Sequence, residues 1–141
     1  MSNRVIVEEA PDVLDPNALL AKLPTDTCGA IVSFIGITRG IDRGKQVYSL
    51  EFDAWQSKLN PTLQRLGEEA IAKFGIEYAA LAHRTGSVGP GEPIVAIHVS
   101  SKHRKEAFQA CSWLIDELKA QAPIWKKEVR EDGEEWKAGL G

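Results

Sequence analysis

Residues Ser100–Glu128, SSKHRKEAFQACSWLIDELKAQAPIWKKE, hold the end of a strand, one long helix and the start of another strand. Phe108, Cys111, Ile115, Leu118 and Ala122 recur at three- and four-residue intervals, which predicts a helix from about Lys102 to Gln121 with this stripe facing a core. Pro123 stops the helix, because its ring would collide with the preceding turn. Ile124–Val129 then reads as a strand. The helix start is electrostatically contrary: its N-terminal pole is already positive, yet Lys102, His103, Arg104 and Lys105 crowd it. Such a cluster suits an anion held by free backbone N–H groups and fixed cations together. A solvated basic turn, partly offset by Glu106, is the alternative.

Upstream, Val5–Val7 is a short β-branched run, and Asp15-Pro16 opens a short helix through Leu23, with Asp15 as cap. Gly29–Ile37 (GAIVSFIGI) predicts a buried strand, and Thr38–Gln46 (TRGIDRGKQ) a mobile polar loop. Val47–Trp55 predicts a strand that alternates Val47, Ser49 and Glu51 against Tyr48, Leu50 and Phe52. Asn60-Pro61 predicts the start of a second helix that Gly75 ends. Tyr78–Arg84 and Pro93–Ser100 read as strands around a turn-rich connector, and Glu135–Ala138 as a last short strand after the Asp132-Gly133 turn. Strands and helices mix without strict alternation, so the expected class is α+β.

The chain has 141 residues, and one domain over 1–141 is the expectation. Lys+Arg 17 against Asp+Glu 20 gives a net charge of −3, which argues against a general nucleic-acid binder. Cys28 and Cys111 lack metal or redox spacing, so structural roles are expected. No apolar run approaches membrane-spanning length, and the N-terminus lacks a secretory h-region, so a cytoplasmic location is expected.

Lys119 lies four residues beyond Ile115, at the margin of the apolar stripe. It either snorkels to solvent or turns into a half-buried pocket, where desolvation would lower its pKa and free the amine for proton transfer or covalent chemistry. Lys126 and Lys127 point to opposite sides of an extended segment, so at most one of them shares a pocket with Lys119. Arg39 sits in the loop directly after the Gly29–Ile37 strand, a placement that suits a ligand-clamping side chain as well as a plain surface arginine. His83 and His98 read as structural histidines. No HExxH, P-loop, G-x-S-x-G or paired-carboxylate spacing occurs.

Taken in order, Phe34-Ile35-Gly36-Ile37-Thr38-Arg39, Leu50-Glu51-Phe52, His83-Arg84-Thr85-Gly86, Pro90-Gly91-Glu92, His103-Arg104, Lys119, Pro123-Ile124-Trp125-Lys126-Lys127-Glu128 and Trp136 resemble the large, catalytic subunit family of molybdopterin synthase. The resemblance implies an α/β hammerhead with an additional antiparallel β subdomain. It implies a sulfurtransferase that builds the dithiolene of molybdopterin on cyclic pyranopterin monophosphate (precursor Z), in molybdenum cofactor biosynthesis. The sulfur would come from the C-terminal glycine thiocarboxylate of a small ubiquitin-like subunit, and the large subunit would form a homodimer within a heterotetramer. Neither a metal nor an organic cofactor is implied. By resemblance, Ile37, Thr38, Arg39, His103, Arg104, Lys119, Lys126, Lys127 and Glu128 are substrate-binding, with Lys119 and Lys126 catalytic, and the pocket is expected to draw on both protomers. The competing reading is a non-catalytic module that binds a ubiquitin-like C-terminal tail. A nucleotide hydrolase is disfavoured by the missing P-loop and the lack of clustered metal-binding carboxylates.

Overall fold

Apolar residues at helical spacing along one segment and near-continuous apolar strands along two others require a layer of helix on sheet, and that layer forms the larger half of the molecule. The computed structural model describes residues 3–137. Strands β1 (Val5–Ala10), β5 (Tyr78–Arg84), β7 (Pro93–Ser101) and β2 (Ala30–Ile37) lie in the order β1-β5-β7-β2. β1 runs parallel to β5, and the other pairs are antiparallel. Helices α2 (Gln56–Phe74) and α3 (Arg104–Gln121) pack against each other and against this sheet, around Leu63, Leu66, Leu81, Ile97, Leu114 and Leu118. The short α1 (Pro16–Leu20) contacts β5 and β7, where Leu14, Leu19 and Leu23 pack on Ala80, Ala82 and Ala96. Asp15 caps it, accepting from the N–H groups of Asn17 and Ala18.

The second sheet holds β3 (Ile41–Asp42), β4 (Lys45–Ala54), β8 (Ile124–Arg130) and β9 (Gly133–Lys137), with β6 (Gly86–Val88) also paired to β4. The expected α+β class is the observed one. Ala138, expected in the last strand, lies outside the described residues.

Several local expectations are corrected. β2 buries only the face packed on α3, through Ala30, Val32 and Phe34, so Ile31, Ile35 and Ile37 on the other face are exposed rather than buried. The polar stretch after it folds into a hairpin, with Arg43 and Gly44 both at positive φ across the turn. A bulge between Val47 and Ser49 shifts the alternation of β4, so Val47, Leu50 and Phe52 are all buried. Helix α2 begins before Pro61 and carries it inside. On α3 the buried stripe is Ala107, Ala110, Cys111, Leu114 and Leu118, while Phe108 is exposed. Small residues face inward because α3 approaches α2 and the sheet closely.

Gly67 serves the same close approach on α2. A Cβ there would lie 2.5 Å from Val5 Cγ1 and 3.3 Å from Leu81 Cδ1. Gly67→Ala should therefore lose roughly 1–2 kcal/mol in urea unfolding, because overpacking outweighs the better helix propensity of alanine. A more stable variant would contradict this packing.

Candidate active site

The two sheets diverge at the C-terminal end of α3 and leave a cavity of about 360 Å³. Its walls are the end of β2 (Phe34–Ile37), the start of β7 (Ile94, Val95), Ile115, Leu118 and Lys119 of α3, and Val47, Leu50, Phe52, Lys126 and Glu128 of the second sheet. Arg39 and His83 complete it. The pleat explains the choice on β8: Lys126 and Glu128 face inward, whereas Lys127 points to the other face. There Lys127 pairs with Glu134 at 3.5 Å and sits over the Trp136 ring.

The cavity is strongly cationic. Burial pulls the Lys126 ammonium below its usual lysine range; Glu128 opposes that pull, and Lys119, Lys137 and Arg39 reinforce it. Glu128 is buried, and its Oε1 lies 3.4 Å from Arg130 Nη1 and 3.9 Å from Lys137 Nζ. Arg39 is largely exposed at the mouth, 3.6 Å from Asp42.

Of the residues singled out in the sequence, Ile37, Arg39, Lys119, Lys126 and Glu128 meet in this cavity. Thr38 is buried beside it, with its N–H donating to the Glu92 carbonyl and its own carbonyl accepting from Gly91. His103 and Arg104 do not reach the cavity of their own chain. They sit at the opposite end of α3 from Lys119, roughly 22 Å away along the helix axis. His103 is the N-cap residue, but its side chain makes no capping bond. The anion site expected at the helix mouth and the lysine pocket are therefore separate places on one chain.

His83 is the pocket residue that sequence reasoning missed. It is buried at the end of β5; one ring nitrogen (Nδ1) lies 2.7 Å from the Arg84 carbonyl, and the Phe52 ring packs against it edge to face. Burial, more than the nearby Lys126 charge, lowers its pKa to about 4, so it faces the cavity as a neutral imidazole. Its position in the His83-Arg84-Thr85-Gly86 motif was the available signal. The neighbouring Arg84 is structural, with Nε donating to the Ala10 carbonyl and Nη2 to that of Ser87. His98 is structural as well, its ring nitrogens placed on Ser33 Oγ and the Pro16 carbonyl. Burial pushes the Cys111 thiol up to about 11, which leaves no useful thiolate at neutral pH. Among the described residues no group of three or more His, Cys, Asp or Glu is placed to hold a metal.

The two-sheet α+β fold and the lysine-lined cavity define a class of protein built to work on an anionic ligand of modest size. The comparisons narrow that class. The family model described as "MoaE protein" matches residues 9–121. The molybdopterin synthase catalytic subunit of Pyrococcus abyssi is 34% identical over 137 residues, covering 97% of this chain and 93% of that protein. The Bacillus subtilis protein of the same name is 40% identical over 118 residues, covering 84% and 75%. Molybdopterin synthase from Staphylococcus aureus superposes with a TM-score of 0.87 at 30% identity, covering 93% and 96%. A chain from the complex of subunits 1 and 2 of molybdopterin-converting factor from Helicobacter pylori superposes with a TM-score of 0.73 at 25% identity, covering 92% and 88%. The chain belongs to the MoaE protein family.

His83 links the site to stability. The unfolded imidazole takes up a proton near 6.5 and the folded one only near 4, so the unfolded state binds more protons between these values. Stability should therefore fall as pH drops from 6.5 toward 4, by roughly 3 kcal/mol, and level off below. The gap between urea midpoints at pH 7 and 4.5 should narrow in His83→Gln, with the lowered pKa of His98 leaving a remainder; an unchanged pH dependence would contradict a buried neutral histidine.

Proposed function

We infer that this chain is the catalytic subunit of a molybdopterin synthase, a sulfurtransferase that converts cyclic pyranopterin monophosphate to molybdopterin in molybdenum cofactor biosynthesis. The observation that carries the reading is the cavity itself: Arg39 from the loop after β2, Lys119 from α3, and Lys126 and Glu128 from β8 come into one space sized for a small molecule. A module that merely bound a peptide tail would have no use for clustered amines beside a buried carboxylate at the bottom of a pocket.

In this reading the sulfur donor is the thiocarboxylate at the C-terminal glycine of a small ubiquitin-like subunit, as the two-subunit Helicobacter pylori complex supports. The thiocarboxylate is anionic, and so is the cyclic phosphate, which gains charge as its ring opens. Fixed cations stabilise that gain without reorganising. Lys119 is assigned the central role, proton transfer during sulfur addition or transient engagement of the tail carbonyl. Lys126, whose charge burial already disfavours, assists by binding thiocarboxylate or phosphate. Glu128, a buried carboxylate on the cavity wall, suits a pterin N–H donor. Ile37 and Thr38 shape the wall, and Lys127, on the far face, is left to partner contact. The location is proposed to be cytoplasmic; no described helix is long and apolar enough to cross a membrane.

His103 and Arg104 enter through a second copy. Ala30, at one end of the edge strand β2, pairs with Ser101 just before α3, and Ile37, at the other end, lines the cavity. A two-fold axis through the middle of β2 would exchange these ends, so each α3 mouth would approach the partner's cavity. Ile31, Ile35 and Phe108 offer exposed apolar surface for that contact.

Two outcomes follow. Lys119→Ala should form almost no dithiolene product from precursor Z and thiocarboxylated small subunit, as read by mass spectrometry, while still binding that subunit; normal turnover would remove Lys119 from the mechanism. Mixing inactive Lys119→Ala with inactive Arg104→Ala subunits, after dissociation and reassembly, should restore about a quarter of wild-type activity, since half the dimers are mixed and each has one intact site. No recovery would place Arg104 outside the shared site.

A further inference from the structure

The loop cation Arg39 and the pocket carboxylate Glu128 are the two ends of one chain of ion pairs. Arg39 Nη1 lies 3.6 Å from Asp42 Oδ1, Asp42 Oδ2 lies 3.5 Å from Arg130 Nη1, and Arg130 Nη1 lies 3.4 Å from Glu128 Oε1. Register explains the convergence. Glu128 and Arg130 are two residues apart on β8 and share its inner face, and Glu135 stands opposite Glu128 on β9. Arg130 also reaches Glu135 at 3.0 Å and Asp132 at 3.2 Å, with only 12% of its side chain exposed. Lys137 joins the same group of charges, 3.9 Å from both Asp42 and Glu128.

The β3–β4 hairpin that follows Arg39 needs such a fastening. Its ladder has two residue pairs, Ile41 with Gln46 and Asp42 with Lys45, and Ile41 is exposed. A hairpin this short with so little apolar burial does not hold its own place in water. Asp42 is the residue that points inward from it. Burial raises its carboxyl pKa, but the charges of Arg39, Arg43 and Lys137 help outweigh that and hold it below the ordinary carboxylate value, so it stays charged at working pH. Neither Asp42 nor Arg130 lines the cavity; each stands one step behind a residue that does.

We propose that Asp42 and Arg130 are positioning residues: their ion pair fastens the hairpin carrying Arg39 to the strand carrying Lys126 and Glu128. The proposal rests on the reading of the cavity as the pterin site. It predicts that the pair acts through Arg39 on the pterin phosphate and not on the sulfur-carrying partner.

The test is a double-mutant cycle in the assembled enzyme with precursor Z and thiocarboxylated small subunit. Asp42→Asn and Arg130→Gln should each lower kcat/KM for the pterin about tenfold, leave KM for the small subunit within about twofold, and combine to no more than the worse single loss. Asp42→Glu should recover most of the activity. Wild-type turnover in both single variants, losses that multiply, or equal losses toward both substrates with a lower melting temperature would each overturn the proposal. Amide hydrogen exchange needs no substrate: the Val47 N–H, bonded to the Gly40 carbonyl across the base of the hairpin, should exchange about tenfold faster in Asp42→Asn. Unchanged exchange there refutes the fastening. A wild-type enzyme that makes no product refutes the pterin reading instead, and the exchange result still decides whether the hairpin is held by this pair.

Discussion

Three cations, Arg39, Lys119 and Lys126, share one cavity with a single buried carboxylate, Glu128, and much of the surrounding structure serves to hold that imbalance in place. Like charges gathered around one cavity repel one another, the more so where water is excluded. A chain left to relax would move the side chains apart. Here Lys119 is fixed by a helix, Lys126 and Glu128 by a central strand of the second sheet, and Arg39 by a hairpin tied to that sheet. The unfavourable arrangement becomes useful when an anion arrives, because the cations are already placed and need not reorganise.

The two sheets divide the labour. The first, with α2 and α3 on one side and α1 on the other, holds most of the apolar core and sets where the C-terminal end of α3 lies. The second has a charged inner face, where Arg130 and Lys137 alternate with Asp42, Glu128 and Glu135. A partly buried guanidinium with several carboxylates is tolerated only because every member has an opposite charge beside it; loss of one leaves the rest uncompensated. The cavity opens where an apolar layer meets this polar one, which accounts for its mixed lining of Phe34, Leu50 and Phe52 beside lysines.

Much of the element order was legible because periodicity and punctuation are local. Pro123 and Gly75 ended helices where expected, Asp15 capped α1, and the alternation on β8 already separated Lys126 from Lys127. What was illegible depended on contacts far along the chain. The Val47 bulge is visible only once β4 is paired with β8, and the exposure of the β2 isoleucines only once α3 is seen to cover a single face of that strand. The hairpin after Arg39 looked like loose polar chain because its anchor, Arg130, lies 88 residues away in sequence. His83 looked structural because strand alternation cannot tell a buried core position from the floor of a pocket.

The sequence by itself determined the class of fold, the helix that presents Lys119, the alternation along β8 that puts Lys126 and Lys127 on opposite faces, and, through motifs in order, the family. These rest on spacing within single elements, where a period of 3.6 or 2 leaves few choices. Only the tertiary structure decided which face of β8 meets the cavity, that Arg39, Lys119, Lys126 and Glu128 share it with His83, and that His103 and Arg104 stand at the far end of the same helix. Those outcomes depend on how two sheets and a helix are packed in space, and no local periodicity records the distance between residues on different elements.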